Sequence, residues 1–229
     1  MKRKYIAFIP LRKGSRGIVN KNNKVFNEKP LFQWVLDTVL LTAYFDEVWI
    51  ATNDEEIKEN VKKLYGESIK VFDRSEENAT DFSPTIDVVK EFLNSCSFNN
   101  NDMFMLFQAT SPLTQVEDIY KVISSTKDNN FDSIVTCHRL YSFKWSENGL
   151  SLDYNLSSKP RRQDYKGFLV ESGAIYASKI EAIKNSGNLL SGNIGIVEIS
   201  KYASIDIDEW TDWNVAHVYY REMKGFIDG

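Results

Sequence analysis

IPLRKGSRGIVNKN, residues 9 to 22, continues the apolar run KYIAFIP of residues 4 to 10, which is typical of a buried strand. The strand leads into a loop where two glycines stand among the basic residues Arg12, Lys13, Arg16 and Lys21. In an open parallel sheet, ligands bind beyond the carboxyl ends of the strands. Glycines let backbone amides approach an anion there, and basic side chains supply the opposite charge. The pattern therefore predicts a phosphate-binding loop, with a solvated basic loop as the alternative.

This loop matches neither of two widespread phosphate-binding patterns, the Walker loop and GxGxxG. The next helix pattern, marked by Leu31, Trp34 and Val35, begins well downstream of the glycines. A helix dipole is therefore not assured as a source of positive charge. We expect the basic side chains to provide more of the neutralisation themselves.

Strand-like and helix-like patterns alternate along the rest of the chain. Further strands are predicted at residues 47–52, 69–72, 103–107, 133–137, 174–177 and 194–199. Amphipathic helix patterns separate most of them, and a last helix runs through Trp213 and Val218. Alternation at this pitch implies right-handed crossovers between strands. The sequence thus predicts an α/β fold with a Rossmann-like, mostly parallel sheet flanked by helices.

Capping residues mark the predicted starts of four helices, where they would bond backbone N–H groups that the first turn leaves unpaired. One of the caps is followed by proline, which favours the first helical position. The predicted caps are Asn53-Asp54, Ser83 before Pro84, Thr114 with Glu117 as a capping box, and Ser178 with Glu181.

The composition limits the classes of binding partner and the cellular location that we expect. The chain has 229 residues, enough for one large domain, and its net charge of −4 argues against general binding to nucleic acid or anionic membranes. Cys96 and Cys137 alone make neither a disulfide framework nor a cysteine zinc site. We find no membrane-length apolar run and no signal-peptide pattern. We therefore expect a cytoplasmic protein with no nucleic-acid and no membrane partner.

The alternation breaks between residues 138 and 166, which are rich in polar and aromatic side chains. Glu147-Asn148-Gly149 is a turn signal within this stretch. We interpret 138–166 as an inserted hairpin or arm in a single domain that spans residues 1–229. The KPRRQD segment of the arm, residues 159–164, sets two arginines side by side, which suits a carboxylate or phosphate held bidentately. A solvated arm surface is an equally good interpretation.

Polar residues also follow other predicted strands. Arg74 ends the third strand, and the hydroxyls of Ser83 and Thr85 precede a helix, where they suit a base or ribose edge. Capping explains Ser83 as well. Gln108 comes directly after the apolar strand MFMLF, which suits a ligand-facing position, although a turn needs similar residues.

SIDID, residues 204–208, alternates isoleucine with Asp206 and Asp208. On extended backbone, a period of two places both carboxylates on one face. Two oxygen ligands at a strand end suit a Mg2+ ion that nucleotide phosphates also hold. The alternative is that Asp208 caps the last helix and Asp206 is solvated.

Together and in this order, these segments resemble one family: the cytidylyltransferases that make CMP-activated acidic sugars, especially acylneuraminate cytidylyltransferases. IPLRKGSRGIVNKN is similar to the family's opening IPARGGSKGIPRKN loop, and DRSEENATDFSPT to its R-P-x-x-x-A-x-D segment. FQATSPLT resembles LQPTSPLR, KPRRQD the arginine-pair motif, ESGAIYAS the ENGAIYI motif, and SIDID the DID motif. The resemblance covers almost the whole chain.

The resemblance implies transfer of CMP from CTP to the anomeric hydroxyl of an acylneuraminate-type nonulosonic acid, an acidic 2-keto-3-deoxy sugar, with release of pyrophosphate. It implies Lys21 and Arg161 as catalytic residues, and Asp206 and Asp208 as ligands of Mg2+. It also implies a homodimer in which the inserted arm crosses to the partner. Together with Arg16 of the basic loop, the nucleotide-binding residues would be Arg12, Ser15, Asn22, Arg74, Ser83 and Thr85, and the sugar-binding residues Gln108, Arg162, Gln163 and Tyr176.

The chain departs from the family pattern at several positions. Leu11 and Lys13 replace the usual Ala and Gly, Thr114 stands where Arg is frequent, and Ser172 stands where Asn is usual. The last two changes lie near the implied sugar pocket. Synthesis of CMP-legionaminate, CMP-pseudaminate or CMP-deoxyoctulosonate is therefore an alternative, as is a sugar-1-phosphate nucleotidyltransferase or a non-catalytic nucleotide-binding protein.

Overall fold

The computed structural model describes residues 2–127 and 130–226, and a seven-stranded sheet lies at the centre of this part of the chain. The order in the sheet is β5-β4-β1-β6-β8-β7-β9, and β2 with β3 forms a separate small hairpin. The strands are β1 (Tyr5–Leu11), β2 (Val25–Phe26), β3 (Lys29–Pro30), β4 (Glu47–Thr52), β5 (Lys70–Asp73), β6 (Met103–Phe107), β7 (Ser133–Leu140), β8 (Phe168–Lys179) and β9 (Ile194–Glu198).

Neighbouring strands of the large sheet are parallel except where β8 pairs with β6 and with β7. The predicted mostly parallel sheet is therefore confirmed. The prediction for β8 was too short, because only residues 174–177 read as a strand. Residues 168–170 are apolar, but they are only half-buried or exposed, and the residues Glu-Ser-Gly at 171–173 separate them from 174–177. Their pairing with β7 was therefore not predicted.

Helices cover both faces of the sheet. Strand β1 contributes buried side chains to both faces of the sheet, because Ala7 and Ile9 belong to one apolar cluster and Ile6 and Phe8 belong to the other. This explains why the KYIAFIP run is apolar at nearly every position instead of alternating. The helices are α1 (Leu31–Leu41), α2 (Glu55–Tyr65), α3 (Thr85–Ser95), α4 (Val116–Lys127), α5 (Ile180–Ser186) and α6 (Trp210–Met223).

Three apolar clusters hold the helices in place. Helices α1, α2 and α4 pack on one face of the sheet, and α3 and α5 pack on the other. Helix α6 packs on the small hairpin, where Trp213 meets Phe26 edge to face at a centroid distance of 5.3 Å. Buried Ile18 and Ile207 belong to this third cluster, which therefore joins the glycine loop to the segment before α6.

Of the predicted helix caps, Asp54 is confirmed, since its side chain accepts a hydrogen bond from the Glu56 amide. The other three caps are wrong. Each hydroxyl instead donates to a nearby backbone carbonyl, which the sequence pattern alone does not distinguish from capping. The acceptors are the carbonyls of Glu77 for Ser83, Ser111 for Thr114 and Leu189 for Ser178.

The predicted arm differs from 138–166 at both ends. Strand β7 continues through Leu140, and β8 begins at Phe168. Between them lie an isolated bridge from Trp145 to Ser151 and two short 3-10 turns, and Phe143 packs against aromatic neighbours inside the segment. In the described residues, no helix has the length and apolar character needed to cross a membrane.

Candidate functional site

A cavity of about 500 Å³, here the central cavity, opens at the carboxyl ends of β1 and β6. This is the edge of the sheet where the sequence predicted ligand binding. Residues of six separate segments surround the cavity: the glycine loop, the end of β5, the start of α3, the end of β6, strand β8 and the segment before α6. The lining residues are Pro10, Arg12, Ser15, Arg16, Gly17, Lys21, Asn22, Arg74, Ser83, Thr85, Gln108, Ala109, Thr110, Gly173, Tyr176, Asp206 and Asp208.

Most of the predicted site residues lie together in this lining, although they come from positions 12 to 208 of the sequence. Three predicted residues do not. Arg161 and Arg162 are exposed on the arm, and Gln163 borders a separate hollow beside Arg139 and Tyr141. The Nε of Arg161 is bonded to Asp164 within the arm at 2.7 Å. Within one chain, the arginine pair is therefore not part of the central cavity.

The glycine loop is held by hydrogen bonds at both of its ends. The Asn22 amide nitrogen donates to the Arg12 carbonyl at 3.2 Å, and the Lys13 amide donates to the side chain of Asn53 at 2.8 Å. Gly14 has a φ of +76°, which favours glycine. A 3-10 turn, Lys21–Asn23, follows the loop instead of an α-helix. As the sequence indicated, the next α-helix begins well downstream of the glycines, at Leu31.

Gly17 is needed because another part of the backbone passes close to it. A Cβ atom at this position would lie 2.0 Å from the carbonyl oxygen of Asp208. The loop thus packs directly against the segment that carries Asp206 and Asp208. The sequence suggested that Gly17 lets an anion approach, and the structure adds this second reason, which concerns the protein itself.

Lys21 connects the same two parts of the site. Its side chain is almost buried, and its Nζ donates to the Ile207 carbonyl at 2.5 Å and to Asp208 Oδ1 at 3.1 Å. Two acceptors fix the position of the ammonium group at the wall of the cavity. A positive charge held in this way needs little rearrangement to act on phosphate oxygens, which is how preorganised charges stabilise a transition state.

Asp206 and Asp208 flank Ile207, which is fully buried. Asp206 is exposed to the cavity rather than to the outer surface, and partial desolvation raises the pKa of its carboxyl group. Repulsion from Asp208 and Asp212 acts in the same direction, while a hydrogen bond from Thr110 and the charge of Lys21 act against it.

The alternative in which Asp208 caps the last helix is wrong. Glu209 is the N-cap of α6, and its side chain forms a reciprocal capping box with Asp212. Asp208 therefore keeps a free carboxylate edge beside Lys21. In the described residues no group of three or more histidine, cysteine, aspartate or glutamate side chains could hold a metal ion. The two carboxylates fit Mg2+, a cation that prefers oxygen and keeps water or phosphate as its other ligands.

Arg74 is a buried cation at another wall of the cavity. Its Nε and Nη2 both donate to the Asn78 carbonyl, and a loop bonded to Glu91 holds that carbonyl in position. Burial lowers the pKa of Arg74 to about 10, and the charge of Arg12 is the next cause. The guanidinium is still charged at neutral pH. It is thus a fixed donor in a partly desolvated place, as recognition of a polar base requires.

Ser83 and Thr85 lie beside the start of α3, which begins without a side-chain cap. Pro84 occupies the N-cap position, and the Ser83 hydroxyl turns back to Thr80 and Glu77. The first backbone N–H groups of the helix are therefore not bonded by a capping side chain. Unpaired N–H groups at a helix start favour a polar or anionic ligand.

Gln108 and Tyr176 lie on the side of the cavity formed by β6 and β8. The Tyr176 hydroxyl donates to Glu171, and burial followed by this hydrogen bond raises the pKa of the phenol. Tyr176 and Glu171 lie on either side of a bulge, at which the register of β7 and β8 shifts between Val135 and Cys137.

Ser172 stabilises that bulge. It is buried, and its hydroxyl donates to the Thr136 carbonyl at 3.0 Å and lies 2.8 Å from the Thr136 hydroxyl. Next to it, Gly173 has a φ of +73° and lines the cavity. The sequence analysis placed Ser172 near the implied sugar pocket, as a departure from the family's usual Asn. In the structure its hydroxyl is instead bonded to β7, so any effect on the cavity acts through the position of Gly173.

The sequence prediction did not include Thr110 or Gly173 among the site residues. The sequence offered a signal for Thr110, which is a polar residue shortly after the strand in FQATSPLT. In the structure its carbonyl accepts a hydrogen bond from the Ile207 amide at 2.8 Å. Gly173 gave no signal of its own, because its place in the cavity depends on the bulge opposite Thr136.

Comparison with known proteins gives a consistent picture. Residues 6–222 match the model of the family described as cytidylyltransferase. Among curated proteins, this chain is 33% identical over 217 residues to "N-acylneuraminate cytidylyltransferase A" and 35% identical over 217 residues to "N-acylneuraminate cytidylyltransferase B", both of Danio rerio. The two matches cover 92% of this chain and 49% and 50% of the relatives. The chain thus spans about half the length of these curated relatives.

Among solved structures, the chain is similar to that of a CMP:2-keto-3-deoxy-manno-octonic acid synthetase complexed with CTP. The TM-score is 0.69, the alignment covers 96% of this chain and 99% of the other, and 19% of the aligned residues are identical. At this identity the similarity concerns the fold, and it agrees with the mostly parallel, helix-covered sheet described above.

Proposed function

The chain belongs to the cytidylyltransferase family, and on that premise we propose that it transfers CMP from CTP to the anomeric hydroxyl of an acylneuraminate-type nonulosonic acid. The observation that carries the proposal is a single cavity bordered by the basic glycine loop, buried Arg74 and the carboxylates of Asp206 and Asp208. Such a cavity offers separate places for a triphosphate, a base and a metal ion. The names of the two relatives support an acylneuraminate as the sugar.

In the proposed reaction, the anomeric oxygen of the sugar attacks the α-phosphorus of CTP. The bond from that phosphorus to the oxygen bridging to the β-phosphate breaks, pyrophosphate leaves, and the proton of the sugar hydroxyl passes to solvent. Little covalent chemistry falls to the protein, so catalysis depends on positioning and on charge. Arg12 and Arg16 would hold the triphosphate together with Ser15 and Asn22. Lys21 would neutralise charge that develops on it.

The bound nucleotide would be oriented at both of its ends. Arg74, Ser83 and Thr85 would contact the cytosine and ribose, using the fixed guanidinium and the uncapped start of α3. Gln108 and Tyr176 would contact the sugar acid on the side formed by β6 and β8. In this proposed arrangement the sugar hydroxyl and the α-phosphorus would lie next to each other between the two groups of residues.

Asp206 and Asp208 would hold Mg2+. The donor set of two carboxylates fits this ion. Desolvation first, and then repulsion from Asp208, raises the pKa of Asp206, and a cation between the two groups would relieve the repulsion. When bound, Mg2+ would neutralise phosphate oxygens and help to orient the triphosphate. Lys21 adds a protein charge at the same place, through its contact with Asp208.

Arg161, Arg162 and Gln163 would act on the central cavity of a second copy of the chain, in a homodimer whose arms cross. Support for this arrangement comes from the exposure of the arm, in which Leu150, Leu152 and Leu156 are each at least 60% exposed. Exposed leucines of this kind are typical of a surface that a partner covers. The arginine pair would then bind the carboxylate of the sugar acid, for which a bidentate guanidinium is well suited.

The experiment that tests the function is a substrate panel. Purified protein is incubated with CTP, Mg2+ and each of N-acetylneuraminate, legionaminate, pseudaminate, deoxyoctulosonate and glucose 1-phosphate, while pyrophosphate release and the CMP-sugar are measured. We expect CTP to be preferred over UTP and ATP, and a nine-carbon acylated acid over deoxyoctulosonate. Preference for legionaminate or pseudaminate would change the sugar and keep the reaction. Binding of CTP without product from any sugar would instead indicate a nucleotide-binding protein.

A further inference from the structure

We propose that Asp81 is a built-in competitor for phosphate at the glycine loop. In the structure its carboxylate engages two of the loop's cations, Arg12 and Arg16, and an incoming triphosphate must displace it. The proposal rests on the proposed function, in which these arginines hold the triphosphate of CTP. Asp81 would then tune how tightly nucleotide binds and how readily pyrophosphate leaves.

The geometry of the contact is that of one carboxylate shared by two guanidinium groups. Asp81 Oδ1 accepts from Arg12 Nη1, and Asp81 Oδ2 lies 3.0 Å from Arg16 Nε. The hydrogen bonds from Arg16 and Arg12 lower the pKa of Asp81 below its ordinary value, so the carboxylate is ionised at neutral pH. Among the residues that the structure describes, no other carboxylate forms a salt bridge with either arginine.

Phosphate and Asp81 need the same donors. Arg12 and Arg16 line the central cavity, and the atoms that they turn toward Asp81 are the ones a guanidinium uses to hold an oxyanion. A phosphate bound to the two arginines would also repel the neighbouring Asp81 carboxylate, because both groups are negatively charged. A triphosphate that is fully bound to the arginines therefore displaces the Asp81 salt bridges.

The contact is weak enough to be exchanged. Side-chain exposure is 29% for Arg12, 57% for Arg16 and 38% for Asp81, so the three groups remain in contact with water. Ion pairs at such sites contribute little to stability. The multiple charges of a triphosphate give it the advantage in this competition, while Asp81 reduces that advantage by a modest factor.

The turn that carries Asp81 has hydrogen bonds of its own that do not involve the arginines. The Thr80 hydroxyl lies 2.6 Å from the Ser83 hydroxyl, and Ser83 Oγ donates to the Glu77 carbonyl at 2.9 Å. Neighbouring Phe82 is exposed, and its ring packs against the Arg16 guanidinium at 4.4 Å. A side-chain rotation of Asp81 can therefore release the arginines while Ser83 stays at the cavity.

The test compares Asp81→Asn with the parent for binding of inorganic pyrophosphate and of CTP by calorimetry, at fixed ionic strength and Mg2+. We expect Kd to fall between about twofold and tenfold for both ligands, because exposed ion pairs that compete with them are lost. Asp81→Ala, which removes the acceptor oxygens as well, should bind at least as tightly as Asp81→Asn. Product inhibition by pyrophosphate should strengthen in the same proportion.

Asp87→Asn is the matched control. Asp87 has a similar side-chain exposure, 40%, and lies 3.8 Å from Lys90, so its loss changes the net charge equally without touching the arginines. Its Kd values should equal those of the parent. Unchanged or weaker pyrophosphate binding in both Asp81 variants would overturn the proposal and would indicate that Asp81 positions the arginines. Absence of any CMP-sugar from the parent would count against the proposed function alone, since the pyrophosphate comparison still decides the role of Asp81.

Discussion

Asp206 and Asp208 have different surroundings, although only one residue separates them. Asp208 is 77% exposed at its side chain and has a cation, Lys21, at 3.1 Å. Asp206 faces the cavity beside Thr110 and Gly173, and its pKa is raised. Asp208 is therefore paired directly with a protein cation, whereas among the described residues no cation forms a salt bridge with Asp206. This asymmetry suggests that Asp206 has the greater influence on metal affinity.

Removing either charge should weaken the use of Mg2+. We predict that Asp206→Asn and Asp208→Asn each raise the Mg2+ concentration for half-maximal rate by at least about tenfold, with the larger effect at Asp206. Asparagine keeps the shape and a hydrogen-bonding oxygen, so the fold should be retained. The measurement is a Mg2+ titration of pyrophosphate release at saturating CTP.

A suitable control for the Mg2+ titration is Glu55→Gln. Glu55 has a side-chain exposure of 78% and pairs with Lys58 at 2.7 Å, which resembles the pairing of Asp208 with Lys21. It lies on α2 and does not line the central cavity. Its titration should match that of the parent. If both aspartate variants also titrate as the parent does, Asp206 and Asp208 are not metal ligands.

At the scale of elements, the site depends on the contact between the glycine loop and the segment before α6. Gly17 lies against the Asp208 backbone, and Lys21 bonds to Ile207 and Asp208. Two parts of the chain that are almost 200 residues apart in sequence are thus held together by a glycine contact and a buried lysine. A change in this contact should move the proposed metal ligands, Asp206 and Asp208, relative to the glycine loop.

Gly17→Ala tests this contact. The added Cβ would lie 2.0 Å from the Asp208 carbonyl oxygen, so one of the two backbones must move. We predict a lower kcat and a higher Mg2+ requirement, because the carboxylates are displaced, together with a lower melting temperature. Steady-state kinetics and thermal denaturation measure these effects.

Gly14→Ala in the same loop distinguishes loss of the Gly17–Asp208 contact from backbone strain in the loop. A Cβ at Gly14 meets nothing within 4 Å, although its φ of +76° disfavours alanine. This variant should lose some stability and keep the Mg2+ requirement of the parent. Equal Mg2+ requirements for Gly14→Ala and Gly17→Ala would mean that loop strain, and not the contact with Asp208, controls the metal site.

At the scale of the whole molecule, the arm carries the predicted residues that do not reach the cavity. Its interior is held by Phe143, which packs against Tyr154 and Tyr165 at centroid distances of 4.8 Å each. Its leucines face outward, and Arg161 is 74% exposed at its side chain. This is a segment with a small, partly exposed aromatic cluster and with leucines on its outer surface.

If the arm pairs two chains, the purified protein should be a dimer by light scattering. Replacing residues 144–164 with a short glycine-serine linker should give a folded monomer, with activity lowered at least about a hundredfold because the arginine pair no longer reaches its site. Far-UV circular dichroism checks that the sheet is retained.

A variant that changes Arg161 and Arg162 to alanine serves as a companion to the arm deletion. It keeps the arm, so it should stay dimeric and lose activity, mainly toward the acidic sugar. A monomeric parent with full activity would exclude a crossed arm. A dimeric double variant with unchanged kinetics would exclude the two arginines from the reaction.

The sequence by itself determined the parts of this protein that are encoded locally. The positions of β4 and β6 and the covered sheet followed from apolar runs, because both faces of the inner strands are buried. The glycine loop was recognised by glycines among basic residues after a predicted strand, and the SIDID segment by its two alternating aspartates. Part of the cavity lining was identified in the same way, through polar or charged residues near predicted strand ends, whereas Ser15, Asn22 and Tyr176 followed only from the resemblance to the cytidylyltransferases.

Only the tertiary structure decided the features that depend on contacts between distant segments. The antiparallel β8 and its bulge depend on pairing with β7, and the roles of Ser172 and Gly173 depend on that bulge. The sequence alone did not show whether Asp208 is a free carboxylate or the cap of the last helix, and the structure decided this because Glu209 is the N-cap. The two salt bridges of Asp81 join residues 69 and 65 positions apart, and no local pattern encodes a partner at that distance.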